Sequence, residues 1–213
     1  MKTITCAAFA ELDHIFLVVA DERTARSTMK DADLRVNYTR DHPGQGTRNI
    51  CACLDNVFLE LLWHDKTTVS AESEAITLGA RIRGEGCPIG ISWRGMSPFE
   101  DTAEGTEPYN APFLPKGMSI PVAAASLDPM LPFVFRTPGG TPPIDRTDGL
   151  VGRRQAPELA TLSHCEVSLP DPGAAEHLLA PFRQISLRQG EYALKLVLLR
   201  PDQSVGRTIT WSV

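Results

Sequence analysis

The sequence predicts an α+β protein built from two β-α-β-β-β modules. Three observations carry that prediction. The strand-like stretch "ELDHIFLVV" at 11–19 has a second version, "TLSHCEVSL", at 161–169, with Leu12 matching Leu162 and His14 matching His164 at an offset of 150. Each stretch runs into a capped helix signal, and three further strand-like segments follow each helix. The expected organisation is a first module over 1–65, an inserted segment over 66–159 and a second module over 160–213, the two modules forming one domain.

The elements follow in order. Strict alternation along 11–19 puts His14 on one face with Leu12, Phe16 and Val18, and turns Asp13, Ile15 and Leu17 the other way. A buried neutral imidazole needs a partner for each nitrogen, so His14 is either a satisfied core residue or a ligand. Asp21 is the expected N-cap of a helix with Ala25, Met29 and Ala32 on one stripe. Strands are then expected in "LRVNYTR", "TRNICACLD" and "VFLELLWH". The inserted segment starts with a single helix, "SAESEAITLGARIRGEG", acidic at its start, basic at its end and stopped by Gly84. "CPIGISWRG" reads as a short strand, and the proline-rich 98–143 as mostly loop, with one strand pair between "MSIPVA" and "PFVFRTPGG". In the second module Asp171 caps a helix with Pro172 at its first position, and "QISLRQ", "YALKLVLLR" and "RTITWSV" supply the strands.

Composition bounds the function. The chain has 213 residues, 42% hydrophobic and 22% charged, with a net charge of −5, as in an ordinary soluble domain. No basic run suited to nucleic acid or anionic lipid is present, so neither is expected as a partner. The five cysteines include no CxxC pair, which argues against a disulfide framework and a cysteine zinc site. Cys51 and Cys53 share a strand face and are expected to pack there. No apolar run approaches the roughly 18 residues of a membrane span, and the N-terminus lacks a secretory pattern, so a cytoplasmic location is expected.

The residues that could carry chemistry cluster on the first module. Glu60 sits in the apolar "VFLELLW", where a carboxylate is costly unless paired or metal-bound. If the two modules face each other across a pseudo-twofold axis, His14, Glu60 and His164 converge. Two histidines and a carboxylate suit a divalent metal such as Fe, Zn, Mn or Ni with open positions. At the offset of 150, Thr210 stands where a second Glu60 would be. Glu166, two residues after His164, is either a further site carboxylate or half of an ion pair with a base such as Lys195. In "DHPGQGTRN", Gln45, Arg48 and Asn49 offer donors to a ligand oxygen, unless the stretch is a plain turn. Arg94 is a candidate anion contact and Trp93 a candidate pocket wall, while His42 and His64 are expected to face solvent.

"LDHIFLVVAD", "HPGQGTRN" and "FLELLW" together resemble the glyoxalase-like branch of the vicinal oxygen chelate superfamily. The resemblance implies paired modules forming a cup-shaped mixed sheet around a small-molecule site. It implies metal ligands His14, Glu60 and His164; Glu60 and Glu166 are the candidate catalytic carboxylates. Gln45, Arg48, Asn49, Trp93, Arg94 and Thr210 are the expected substrate contacts. The implied function is a lyase, isomerase or dioxygenase-type enzyme acting on vicinal oxygens. Its alternative is a metal-free protein of the same fold that binds or sequesters a small molecule. Modules of this superfamily pair across chains, so a homodimer is also expected.

Overall fold

The computed structural model describes residues 9–99, 105–147, 155 and 158–212. The N-terminal residues read for a leader, with Cys6, lie outside that set. Twelve strands occur among the described residues, in two sheets. The first half begins β1 (Glu11–Val18), α1 (Glu22–Asp31), β2 (Tyr38–His42), β3 (Thr47–Cys53) and β4 (Phe58–His64). It is followed by α2 (Ala71–Ala75), α3 (Leu78–Ile82), β5 (Ile89–Arg94), β6 (Thr106–Tyr109), β7 (Ile120–Ala123) and β8 (Phe133–Arg136). The chain ends with β9 (Thr161–Leu169), α4 (Pro172–Leu179), β10 (Ile185–Gln189), β11 (Ala193–Leu199) and β12 (Val205–Ser212).

The α+β class and the mixed sheets are as expected, and both long helices start where predicted. Asp21 accepts a hydrogen bond from the Thr24 amide, and Asp171 from the Ala174 amide with Pro172 at the first helical position. Strand order departs from the sequence reading. The eight-stranded sheet runs β2-β3-β4-β1-β5-β8-β7-β6. Its two halves have the same internal order and meet through the antiparallel pair β1 and β5. The partner of 11–64 is therefore 89–136, the stretch expected to be a loop-rich insertion. Residues 161–212 form their own sheet, β10-β9-β11-β12.

The offset of 150 misleads because equal spacing along the chain does not fix pairing. β1 lies parallel to β4, whereas β9 lies parallel to β10 and antiparallel to β11. The predicted helix over 70–86 also divides in two. Thr77 takes a left-handed φ of 62° between α2 and α3. The Glu74 carboxylate folds back over Gly79, where a Cβ would lie 2.3 Å from it, to reach Arg83 at 2.6 Å.

The eight-stranded sheet has two unlike faces. Leu12, Ile15, Leu17, Ile50, Leu59, Leu61, Ile91 and Trp93 face a core shared with α1, α4 and the inner face of the second sheet. Burying such side chains contributes about 1.5–3 kcal/mol each. Phe16, Val18, Leu62, Ile120 and Phe133 belong to a second cluster on the opposite, concave face.

One buried cation fastens the second half. Arg81 of α3 is fully buried and donates to the carbonyls of Cys87, Pro129, Leu131, Ser126 and Asp128. Burial pulls its guanidinium down to about 10, so it stays charged at neutral pH. Truncation leaves several buried carbonyls without a donor. Arg81→Ala is expected to lower the unfolding free energy by about 3 kcal/mol in urea titrations.

Candidate functional site

The concave face encloses a cavity of about 280 Å³. Its polar end comes from β1, β3 and β4, and its apolar wall largely from β7, β8 and the 109–114 stretch. A bulge explains the polar end. In the β1–β5 ladder Leu12 pairs with Trp93 but His14 pairs with Ser92, so β1 carries one extra residue, Asp13. Leu12 thus joins Ile15 and Leu17 in the core instead of sharing a face with His14. Asp13 is released from strict alternation and reaches the imidazole beside it.

His14 Nδ1 lies 2.7 Å from Asp13 Oδ1. The carboxylate can only accept, so Nδ1 carries the proton and Nε2 is left for the cavity. Asp13 Oδ1 also accepts from the Thr137 hydroxyl at 2.9 Å, and Oδ2 lies 3.2 Å from Arg94 Nη1. Burial works to raise the Asp13 carboxyl. The hydrogen bond and charge of His14, then Thr137 and Arg94, outweigh it and hold the group below its usual range. The imidazole stacks on Phe58 at 4.2 Å and meets the Phe135 ring edge-on at 5.2 Å.

Glu60 completes the pair. Its Oε2 lies 3.6 Å from His14 Nε2, too far for a direct hydrogen bond but close enough for both to touch one ligand atom. Oε1 accepts from Asn49 Nδ2 at 2.6 Å. Asn49 is itself oriented, because its Oδ1 accepts from the Arg40 amide at 3.0 Å. Both side chains are thus anchored from behind.

A directional chain of neutral groups forms another wall. Ser73 lies 2.8 Å from the Tyr109 hydroxyl, which donates to Gln45 Oε1 at 2.8 Å. Gln45 Nε2 donates to Thr47 Oγ1 at 2.6 Å, leaving the Thr47 proton for His42 Nδ1 at 2.9 Å. Burial pushes the Tyr109 phenol up to about 12, so it stays a donor. His42 accepts at Nδ1 and therefore carries its proton on Nε2. Burial pulls its pKa below the ordinary histidine value, against the charge of Glu60.

The structure brings together His14, Glu60, Asn49 and Gln45 and separates the other candidates. His164 lies on β9 in the second sheet, 2.8 Å from the Ser186 hydroxyl. Thr210 is on β12 opposite Lys195, and Glu166 faces Arg188 at 3.4 Å. Arg48 follows alternation to the outer side, where it pairs with Asp41 and Glu22, because Asn49 takes the cavity side. Trp93 is in the core, on the far face from Ser92. Arg94 is committed to Glu11, Asp13 and the Asn56 carbonyl. Asn49 and Gln45 spend their amides on Glu60, Thr47 and Tyr109, so they position the site. His42 lines the cavity, contrary to the solvent-facing expectation.

The donor set does not fit the expected metal. His14 and Glu60 supply two ligands, and among the described residues no group of three His, Cys, Asp or Glu side chains could hold an ion. Among the described residues the second half lines the cavity with no His, Cys, Asp or Glu. Gly90 lies under the Phe16 ring, where a Cβ would stand 2.0 Å from a ring carbon, and β8 contributes Phe133 and Phe135.

Residues 12–108 match the family model of a glyoxalase-like domain. No curated protein matches the chain in sequence. Among solved structures it is similar to a hypothetical protein from Bacillus halodurans C-125, with 20% identity, a TM-score of 0.40, and 61% of this chain and 96% of that one covered. It is also similar to methylmalonyl-CoA epimerase from Mycobacterium tuberculosis, with 12% identity, a TM-score of 0.38, and 63% and 91% covered. A mutant 4-hydroxymandelate synthase from Streptomyces coelicolor is 16% identical, with a TM-score of 0.45, and 95% and 62% covered. No helix among the described residues is long and apolar enough to cross a membrane.

The lowered pKa of His42 has a consequence for stability. The unfolded chain binds more protons than the folded one between the folded pKa and the ordinary value near 6.5. The contribution of neutral His42 is full above about pH 6.5 and is lost as pH falls through the folded value. Urea midpoints at pH 7.5 and pH 5 are expected to fall further in the wild type than in His42→Gln, which does not titrate.

Proposed function

We propose that this chain, which carries a glyoxalase-like domain of the vicinal oxygen chelate superfamily over residues 12–108, binds a small oxygen-bearing molecule in its cup and moves a proton on it. The observation that supports this reading is the pair His14 Nε2 and Glu60 Oε2, 3.6 Å apart and facing one cavity. A general base must be held within reach of the proton it takes, and both groups are held from behind. Asp13 fixes the imidazole tautomer and orientation, and Asn49 fixes the carboxylate. Phe16, Phe58, Phe133 and Phe135 exclude water and take the ligand's apolar part.

The reaction class is therefore isomerase or lyase, resting on acid–base chemistry by two side chains. The dioxygenase alternative needs a metal, for which these residues supply two ligands only. A second reading, a protein that binds or sequesters a small molecule without turnover, is favoured by the aromatic wall.

Two measurements test this. Compounds that raise the melting temperature of the wild type would be incubated with it in D2O and scored for exchange of carbon-bound hydrogen. His14→Gln and Glu60→Gln are each expected to slow exchange about 100-fold or more. Exchange at the wild-type rate in both variants would overturn the assignment, and binders without any exchange would leave the sequestering reading. Elemental analysis of untagged protein is expected to find well under one transition metal per chain. A stoichiometric metal lost in both His14→Ala and Glu60→Ala would overturn the metal-free mechanism.

A further inference from the structure

The cavity does not end at its aromatic wall. A second hollow of about 340 Å³ adjoins it and shares Arg40, Phe58, Thr137 and Pro138 with it. Its outer wall is the turn Thr137–Thr141, pressed against β5 so closely that a Cβ on Gly140 would lie 2.6 Å from Arg94 Cβ. That turn is fixed by the same Thr137 and Arg94 that hold Asp13.

Arg40 stands at the junction. Its backbone is tied to Asn49, and its guanidinium lies 5.1 Å above the Tyr38 ring. The other arginines discussed for this site are spent: Arg94 on Glu11 and Asp13, Arg48 on Asp41 and Glu22. The Arg40 guanidinium has no hydrogen-bond or carboxylate partner among the described residues. Arg146 and Asp145 also border the outer hollow, and Asp13 there is already answered by Arg94.

The charges are ordered along the cavity. The deep end holds Glu60, which repels an anion, and the junction holds an unpaired cation. Resting on the cup reading above, we propose that the ligand is an anionic amphipath. Its apolar, oxygen-bearing end enters the aromatic cavity and its carboxylate or phosphate binds Arg40 at the mouth. Arg40 is then a residue that sets specificity, since a guanidinium matches either anion with two parallel N–H donors.

The test uses phenylacetate, phenyl phosphate and neutral 2-phenylethanol as probes, titrated by calorimetry into wild type and Arg40→Gln. Arg40 is exposed, so the variant is expected to fold, and its melting temperature is measured alongside. At least one anionic probe is expected to bind the wild type about tenfold more tightly than 2-phenylethanol. Arg40→Gln and added salt should each remove that preference while leaving 2-phenylethanol unchanged. Which anion binds tighter separates a carboxylate ligand from a phosphate ester. Anion preference that survives Arg40→Gln, or a wild type that prefers the neutral probe, would overturn the proposal and leave the cup reading intact. Failure of all three probes to bind would overturn both.

Discussion

One extra residue in β1 organises the site. Without the bulge, Asp13 and His14 would point to opposite faces, and the carboxylate would enter the apolar core. With it, Leu12 returns to the core and Asp13 stays beside the imidazole. Arg94, Thr137 and the turn after β8 then converge on the Asp13 carboxylate. The bulge thus couples the two halves of the eight-stranded sheet: β1 supplies Asp13 and His14, and Arg94 of β5 with Thr137 after β8 holds the Asp13 carboxylate. Bulges re-aim side chains at active sites for the same reason.

The two halves share a strand order but not a chemistry. The first places His14, Asn49 and Glu60 on the concave face. The second places Phe133 and Phe135 there, with Gly90 yielding its space to the Phe16 ring. An ion held between halves would need donors from both, and among the described residues only the first half lines the cavity with His or Glu. The second half instead supplies the largely apolar wall opposite them. That division makes the cavity one-sided, with the anchored His14 and Glu60 at one end and a largely apolar surface opposite.

Much of this was legible in the sequence, and the errors have physical causes. Helix caps at Asp21 and Asp171, the strand pair 120–123 with 133–136, and the burial of Glu60 in an apolar strand follow from local rules. Pairing partners do not, because a matching offset carries no information about which strand lies beside which. Hence the offset alone makes 161–212 the other half of the cup and puts His164 and Thr210 in the site, whereas both lie in the separate four-stranded sheet. Short strands that contain a proline, such as Thr106–Tyr109 with Pro108, hide the true partner. The Asp13–His14 contact was invisible because period-two alternation forbids it, and only the ladder register shows the exception. His42 was missed for a related reason: the Gln45–Thr47 contacts that turn it inward depend on Tyr109, more than 60 residues away.

The charge pattern around His14 is costly to stability unless it serves a ligand. Asp13 is balanced by Arg94, so that pair is nearly neutral as seen from the cavity. Glu60 is buried beside an imidazole and a neutral amide, with no Lys or Arg paired to it among the described residues. Carboxylates so placed cost several kcal/mol of desolvation when unbalanced. A fold selected for stability alone would place an apolar side chain in that strand, as its neighbours Leu59, Leu61 and Leu62 do. The walls around Glu60 are built to hold it in place rather than to neutralise it: Asn49 is pinned by the backbone, and Phe58 backs the imidazole. A carboxylate held rigidly 3.6 Å from an oriented imidazole gives the cavity two fixed polar groups that can meet on one ligand atom.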